Sequence, residues 1–455
     1  MAINKLKLFF REVKIFKKFY NYLNSLRTKL INQKVLNQLR DLENKSEVNL
    51  FNKQQALLNN MLSYAYKNTE YYKQLFNSNN VKIENGYDLK KIPFLTKEII
   101  RSNTKELISN EYGIQSLGKR NTGGSTGEPL EFYCSTMAGL SDFGHHNYLY
   151  SLMGYKSSDI ILSCGGIEID KELRAKNIFW TKGNKGDLFG DYRFSVLYLT
   201  DHNIHIYVNK LILIKPAILR GYPSFFYSLA RYILEHNIII GFKIKGINLT
   251  AEMCSPEQRI IIEKAFSSMV FFEYGHSEVS LYCYTKDKTY IYESSPIYGY
   301  IEVLNEDGTE TKIGEVGNII TTGFINYGMP FIRYKTGDLG KLVYRNGGIV
   351  HFSEIYGRTQ DYIISKENQK VYLTALIFGQ HLKAFAKIKK WQIRQNTIGE
   401  INFHIVKDIN YSKSDELDIL EKINSVTNVE ISFKYVDSIQ TTKSGKHLFL
   451  LQEIK

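Results

Sequence analysis

The stretch NTGGSTGEPLEFY, residues 121–133, sets Gly123, Gly124 and Gly127 among Thr122, Ser125 and Thr126, and then resumes an alternating apolar pattern. Glycine-rich turns line up successive backbone N–H groups into a concave anion site, and phosphate is their usual guest. No Gly-Lys-Ser/Thr closes the stretch and position 130 is Leu, so it is not a Walker loop, nor is it GxGxxG. Taken alone it reads equally as a phosphate cradle or a plain turn. Four later stretches also carry chemistry. EYGHSE (273–278) follows the apolar MVFF, and a strand ending there presents Tyr274 as a flat surface and Glu278 as an oxygen ligand. Oxygen ligands are what Mg²⁺ on phosphates requires. RYKTGD (333–338) ends an apolar run in a turn that offers Asp338 to two sugar hydroxyls, and Arg358 in YGRTQD (356–361) adds a donor fork. TTKSGKH (441–447) supplies Lys446 on a short turn. Each also reads as a polar turn between strands.

The elements that must hold these residues follow from periodicity. Residues 50–110 are helical in pattern, with Thr96 as a cap for Lys97 onward. From 121 to about 350, β-rich runs such as DIILSCGG and IYGYIEVLN alternate with helical ones such as PSFFYSLARYILEHN and PEQRIIIEKAF, which predicts an α/β body. Asp307-Gly308 marks a hairpin turn. After Gly357, KIKKWQIRQ, EINFHIVKD, SDELDILEKINSV and VEISFKYV read as a β-β-α-β module. The expected units are a basic amphipathic segment (1–45), a large domain (46–356) and a small α+β domain (357–455) carrying Lys446.

With 455 residues, 43% hydrophobic and 23% charged, the chain is globular in composition. Cys134, Cys164, Cys254 and Cys283 lie far apart without a CxxC pair, which suits a reducing cytoplasm. No apolar run reaches the roughly 18–20 residues that cross a bilayer. The net charge of +13 is concentrated: residues 1–40 hold ten Lys or Arg against Glu12 alone, so +9 lies in that tail. Leu6, Phe9, Phe10, Val13, Phe16, Tyr20, Leu23 and Leu26 form a helical apolar stripe among its lysines. Such a helix either packs on the body or lies on an anionic membrane surface. No recognition module accompanies it, so nucleic acid is not an expected partner.

As an ordered set, these motifs resemble the adenylate-forming superfamily of acyl-CoA synthetases, peptide-synthetase adenylation domains and luciferases. LSYAYKNTEYYKQLF, LKKIPFLTKEIIRSN, GYPSFFYSLA, LTAEMCSPEQRIIIEKAF and SEVSLYCY sharpen the likeness to the phenylacetate–CoA ligase branch, and within it to CapK-type ligases of capsule and O-antigen clusters. The resemblance runs from about residue 55 to the end. It implies an α/β fold with a large adenylate-forming domain of sheets and helices and a small mobile α+β carboxy-terminal domain. It also implies ATP and Mg²⁺, a carboxylic acid substrate, and a thiol or amine acceptor: CoA, a carrier protein or an amino sugar. Work beside the inner face of the plasma membrane would suit the basic tail.

By the same resemblance, Thr122, Gly123, Gly124, Ser125, Thr126 and Gly127 fold over the ATP phosphates. Tyr274, with Gly275 beside it, stacks on adenine, and Thr250, Ala251 and Glu252 flank the base. Asp338 holds the ribose, assisted by Arg358. Glu278 is the Mg²⁺ ligand, and Lys446 is the lysine the small domain brings in for adenylation. His276 and Tyr222 fall where an acyl group would sit. The chain departs from the family at the pivot of the small domain, where Gln360 and then Asp361 stand two and three residues after Arg358. Zinc, bound by some relatives near LYCYTKDKTYIY, is not expected, since tyrosines stand where a histidine is wanted. His145 and His146 lie in a helical stretch and read as packing. Two rivals keep their place: a nucleotide-binding module without turnover, and a membrane-surface assembly protein.

Overall fold

A computed structural model of the chain describes residues 14–82, 89–121, 130–183, 190–358, 362–377 and 383–454. Its amino-terminal helices begin where small hydroxyl residues satisfy exposed backbone donors. Helices α1 (Lys14–Glu43), α2 (Glu47–Asn68) and α3 (Glu70–Ser78) are followed by α4 (Lys97–Ser102). Ser46 Oγ accepts from Asn49 N (3.3 Å), Thr69 Oγ1 from Tyr72 N (3.3 Å) and Thr96 Oγ1 from Ile99 N (3.4 Å). The basic helix α1 packs on the body along its second half, burying Val35, Leu39 and Leu42. It crosses α5 (Thr136–Leu152) so closely that a methyl on Gly144 would meet Val35 at 2.7 Å. The side chains of the expected membrane-facing stripe, Leu6 to Leu26, lie outside the described residues.

Strands β1 (Gly118–Asn121) and β2 (Glu131–Cys134) pair antiparallel on either side of the glycine-rich stretch. The glycine-rich residues 122–127 themselves lie outside the described residues. The main sheet has twelve strands. Its first half comprises β3 (Ile161–Gly165), β4 (Trp180–Lys182), β5 (Tyr192–Ser195), β6 (Ile218–Gly221), β7 (Gly246–Leu249) and β8 (Val270–Gly275). Neighbours β5, β3, β6, β7 and β8 run parallel, with β4 antiparallel at the edge. Parallel strands need covering, and α6 (Ile204–Ile214), α7 (Pro223–Glu235) and α8 (Pro256–Phe266) supply it. They bring Tyr207, Phe226 and Phe266 into one core with Leu162, Leu219 and Ile247.

At β8 the sheet changes character. Its other neighbour, β9 (Tyr282–Tyr284), is antiparallel, and so are β10 (Tyr292–Ser294), β14 (Ile349–Arg358), β13 (Tyr334–Asn346), β12 (Val316–Gly323) and β11 (Gly299–Leu304) beyond it. The Asp307-Gly308 turn joins β11 to β12 as read, with Gly308 at φ 83°. The expected turn in RYKTGD is instead part of β13, interrupted by a bulge at Asp338 beside Gly337, whose φ is 82°. Only glycine takes that conformation without strain, and the bulge re-aims the following side chain.

The carboxy-terminal segment forms its own sheet from β17 (Ile388–Thr397), β18 (Glu400–Lys407), β19 (Glu430–Tyr435) and β20 (Leu450–Gln452), preceded by the hairpin β15 (Tyr362–Ile364) and β16 (Lys370–Tyr372). Helix α9 (Lys413–Val426) packs Ile419 and Ile423 onto Ile393 and Phe403 in a core drawn wholly from residues 363–450. Strand β20, parallel to β17, adds a member that periodicity did not announce. Among the described residues no helix is long and apolar enough to cross a membrane.

Candidate active site

Parallel strands direct their carboxyl ends to one edge, and a crevice forms where the strand order changes direction. Here that place is β8, and a cavity of about 800 Å³ opens beside it. Thr250, Ala251 and Glu252 line it from the end of β7, Tyr274, Gly275, His276 and Glu278 from the end of β8, Asp338 from the β13 bulge, and Lys446 from the carboxy-terminal segment. The structure thus brings together residues spread over almost two hundred positions. Tyr222, at the end of β6, is not among the lining residues; its ring lies 6.0 Å from Lys446 Nζ. The backbone of Arg358 pairs with Asp338 across β13 and β14. Gln360 and Asp361 lie outside the described residues, as does the glycine-rich loop.

Strand geometry sends successive side chains to opposite faces, which divides the cavity. Tyr274 points towards β13, where its hydroxyl donates to Asp338 Oδ2 (2.8 Å). The bulge is braced in turn, for Asp338 N donates to Thr336 Oγ1 (3.0 Å). Glu278 sits in the turn after β8, buried, with Oε1 accepting from the Tyr334 hydroxyl (2.8 Å) and Oε2 3.2 Å from His276 Nδ1. The histidine contact is at ion-pair distance but too poorly aligned for a hydrogen bond. Burial opposes ionisation of Glu278, yet the charge of His276 and the Tyr334 hydroxyl outweigh it and hold its pKa at about 2. Glu278 is therefore a fixed anion on the cavity wall.

Lys446 is placed by a tight turn. Thr442 N donates to Lys446 O (2.9 Å), Gly445 N to Thr442 O (2.8 Å) and Lys446 N to Thr442 Oγ1 (2.9 Å). The turn is seated on the large sheet by Glu252. Its Oε1 accepts from His447 N (2.7 Å) and its Oε2 from Ser224 N at the start of α7 (3.1 Å). Burial raises the Glu252 pKa, partly offset by those donors and by Lys446. Two glycines permit the close approach: a methyl on Gly166 would lie 2.1 Å from Ser444 O, and one on Gly445 2.4 Å from Val196. An Arg231–Asp408 ion pair and a Lys389–Asp201 pair (3.1 Å) add polar contacts between the same two bodies.

The other face of β8 holds what the motifs did not announce. Glu273 accepts from Arg220 (2.6 Å) on β6, His146 Nδ1 (2.9 Å) on α5, Asn248 Nδ2 (2.9 Å) on β7 and the Tyr282 hydroxyl (3.2 Å) on β9. Burial disfavours its charge, but Arg220 and His146 win and hold its pKa far below the ordinary carboxylate range. The packing role read for His146 is thus corrected: it lines the cavity and ties α5 to the sheet. His145 does pack, with Ser141 O 2.9 Å from Nδ1 and Ser295 Oγ 3.1 Å from Nε2, and burial lowers its pKa to about 4. A signal existed, because Arg220 and Glu273 are lone charges in the apolar runs AILRGYP and VFFEYG.

Cys134, Cys164 and Cys283 are buried thiols, and Cys254 is half-buried. Among the described residues no three His, Cys, Asp or Glu gather as a metal site. A single ionised carboxylate such as Glu278 nevertheless suits Mg²⁺, which keeps several waters and takes substrate phosphates for its remaining ligands.

Comparison with known proteins agrees with the geometry. Residues 363–453 match the CapK C-terminal domain. The chain is 28% identical over 420 residues to protein CapK of Staphylococcus aureus, covering 89% of this chain and 90% of that one. It is 24% identical over 331 residues to phenylacetate-coenzyme A ligase of Escherichia coli strain K12, covering 67% and 70%. Among solved structures, 2-hydroxyisobutyryl-CoA ligase in its postadenylation state superposes with a TM-score of 0.67 at 14% identity over 88% of each chain. An acyl acid amido synthetase superposes with 0.58 at 15% identity over 89% of each. The fold is that of adenylate-forming ligases.

Proposed function

This chain is a CapK homologue built on the fold of adenylate-forming ligases, and we propose that it activates a carboxylic acid with ATP and passes the acyl group to a thiol or an amine. In the first step an acid oxygen attacks the α-phosphorus, the bond to the β-phosphate oxygen breaks, and pyrophosphate leaves an acyl-adenylate. The observation that carries the reading is the convergence of Tyr274, Glu278, Asp338 and Lys446 on one cavity at the switch strand.

An anion attacking an anion needs fixed positive charge where charge develops, and preorganised electrostatics is usually the largest catalytic term. Lys446 supplies it, held by the turn that Glu252 seats. Tyr274 offers its face to adenine while its hydroxyl bond to Asp338 fixes the ring. Asp338 faces the ribose, with Arg358 assisting. Thr250 and Ala251 border the base, and Glu252 acts as a clamp on His447 and Ser224. Glu278 is the residue that would hold Mg²⁺, which would neutralise phosphate charge. Thr122 to Gly127 are assigned to the phosphates on the resemblance of their sequence.

The neighbours of known structure include both a CoA ligase and an acid–amine ligase, so CoA, a carrier thiol and an amino sugar are the acceptor classes to try. On the resemblance to CapK-type ligases we read the reaction as a step of surface polysaccharide assembly, with the basic tail, residues 1–40, as a peripheral membrane contact. Acid-dependent pyrophosphate release tests the activity. Lys446→Ala should slow it by ~10²–10³, the usual cost of one preorganised donor. A mutant at wild-type rate would remove Lys446 from the mechanism, and tight ATP binding without turnover on any acid would favour a binding module.

A further inference from the structure

The basic helix α1 and the cavity meet at the same end of the sheet. Alternate residues of a strand face opposite ways, so Leu162, Leu219 and Phe272 share a core with α6, α7 and α8, while Ile161, Ile218 and Phe271 share one with Ala138 of α5 and Val35 of α1. Helix α5 runs opposite to those strands. A methyl on Gly246, the first residue of β7, would meet Met153, the residue after α5, at 2.7 Å, and Lys245 Nζ donates to Gly154 O (3.0 Å). The start of α5 therefore rises towards the carboxyl ends of the strands, and Asp142 and His146 line the cavity on the way. Helix α1 runs the same way as α5. Arg27 Nη2 lies 3.2 Å from Met137 Sδ, Val35 lies against Gly144, and Glu43 accepts from the Tyr148 hydroxyl. At about 1.5 Å per residue, the helical residues 14–26 carry α1 roughly 20 Å beyond the start of α5. That extension holds Lys14, Lys17 and Lys18 and no acid. Where side chains are described, Arg27, Lys29 and Lys34 are exposed around Leu30, itself 72% exposed, and Met137 beside Arg27 is 40% exposed. Cations set around exposed apolar side chains suit an anionic lipid surface, which attracts the charges and takes the apolar groups into its interface. The carboxy-terminal segment meets the large domain on the other face of the sheet, at Asp201 and Arg231.

We propose that α1 seats the protein on an anionic bilayer with the cavity turned towards it, and that the acceptor of the acyl group is an amine borne by a membrane lipid. The acceptor rests on the ligase reading; the seating does not. In the transfer the neutral amine nitrogen attacks the acyl carbon of the acyl-adenylate, and the bond from that carbon to the phosphate oxygen breaks. AMP leaves with the electron pair, and the surplus proton on nitrogen passes to water, leaving an amide. A soluble acceptor gains nothing from a cavity held at the lipid surface. A headgroup that cannot leave the bilayer does, because confining both reactants to one interface removes much of the cost of bringing them together.

The test uses the full chain with vesicles of phosphatidylcholine and phosphatidylglycerol, against phosphatidylcholine alone. Flotation should carry the protein with the anionic vesicles only, and the combined change Lys14→Glu, Lys17→Glu and Lys18→Glu should weaken that binding at least tenfold. The photocrosslinker benzoylphenylalanine, placed at Met137, should join phosphatidylglycerol on illumination, and placed at Ile239 it should not. Ile239, 86% exposed, lies in the loop that leads into β7, at the far end of the strands. Crosslinks from Ile239, none from Met137, or equal binding to duplex DNA overturn the seating. For the acceptor, acetate, lactate, alanine and phenylacetate are the trial acids. Hexadecyl glucosaminide or phosphatidylethanolamine in the anionic vesicles should raise AMP release at least tenfold more than methyl glucosaminide or ethanolamine in solution at the same concentration. The lysine variant should lose that gain and keep acid-dependent ATP–pyrophosphate exchange. No gain from the vesicle-borne amines, or an equal one from soluble amines or CoA, overturns the membrane acceptor and leaves the ligase standing. Absence of exchange with every acid counts against the ligase, and the crosslinks still decide the seating.

Discussion

Glu273 and Glu278 stand five residues apart, both buried and both held ionised, yet the protein treats them differently. Glu273, in the cavity floor, is surrounded by four protein donors from three strands and a helix. Glu278, in the rim, has one phenol and one imidazole and otherwise faces the cavity. A buried charge persists only if it is paired, so the number of protein partners measures how much of its pairing is left for a ligand. The floor carboxylate is a fastener between α5 and the parallel strands, whereas the rim carboxylate is an anion kept ready.

The sharpest way to break this contrast is Arg220→Met. It leaves Glu273 without its closest cation, and losing one partner of a buried pair costs about 3–5 kcal/mol. Urea unfolding should show that loss, and an unchanged midpoint would mean Glu273 is not the fastener described. Glu278→Gln should instead act mainly on rate, lowering pyrophosphate release roughly 10²-fold. It also has a pH signature. The folded pKa of Glu278 is depressed to about 2 from 4.5, so its stabilising contribution is present above about pH 4.5 and lost as pH falls towards 2. The glutamine variant should flatten that limb of the stability–pH curve, while Glu273 loses its share only at still lower pH.

Gly166→Ala tests the rim from outside. Its methyl would lie 2.1 Å from Ser444 O, so the Lys446 turn cannot seat. Adenylation should drop at least tenfold with little change in melting temperature, because each body keeps its own core; equal rates would show that the seated turn is not the working arrangement. Smallest of all, Tyr274→Phe removes the bond to Asp338 and retains the ring, costing about 1 kcal/mol of stability. KM for ATP should move by less than about threefold, and a larger shift would give the hydroxyl a direct part in binding.

How much of this was legible in the sequence depends on the range of the forces involved. Helices α7 and α8, the cap at Thr96, the Asp307-Gly308 hairpin and the run β17, β18, α9 and β19 were readable, because periodicity and capping act within a few residues. The residues of the rim were readable too, since Tyr274, Glu278, Asp338 and Lys446 each sit in a short polar turn or strand end of recognisable composition. The Asp338 bulge was not, because a bulge is defined by the register of a partner strand. Nor was the floor: His146, Arg220, Asn248, Glu273 and Tyr282 come from five elements, and Arg220 and Glu273 show locally only as lone charges in apolar runs. The sequence by itself determined the elements and marked the chemistry at their ends. Only the tertiary structure decided which charges share a low-dielectric space, because pairing across a sheet depends on strand order and not on nearness along the chain.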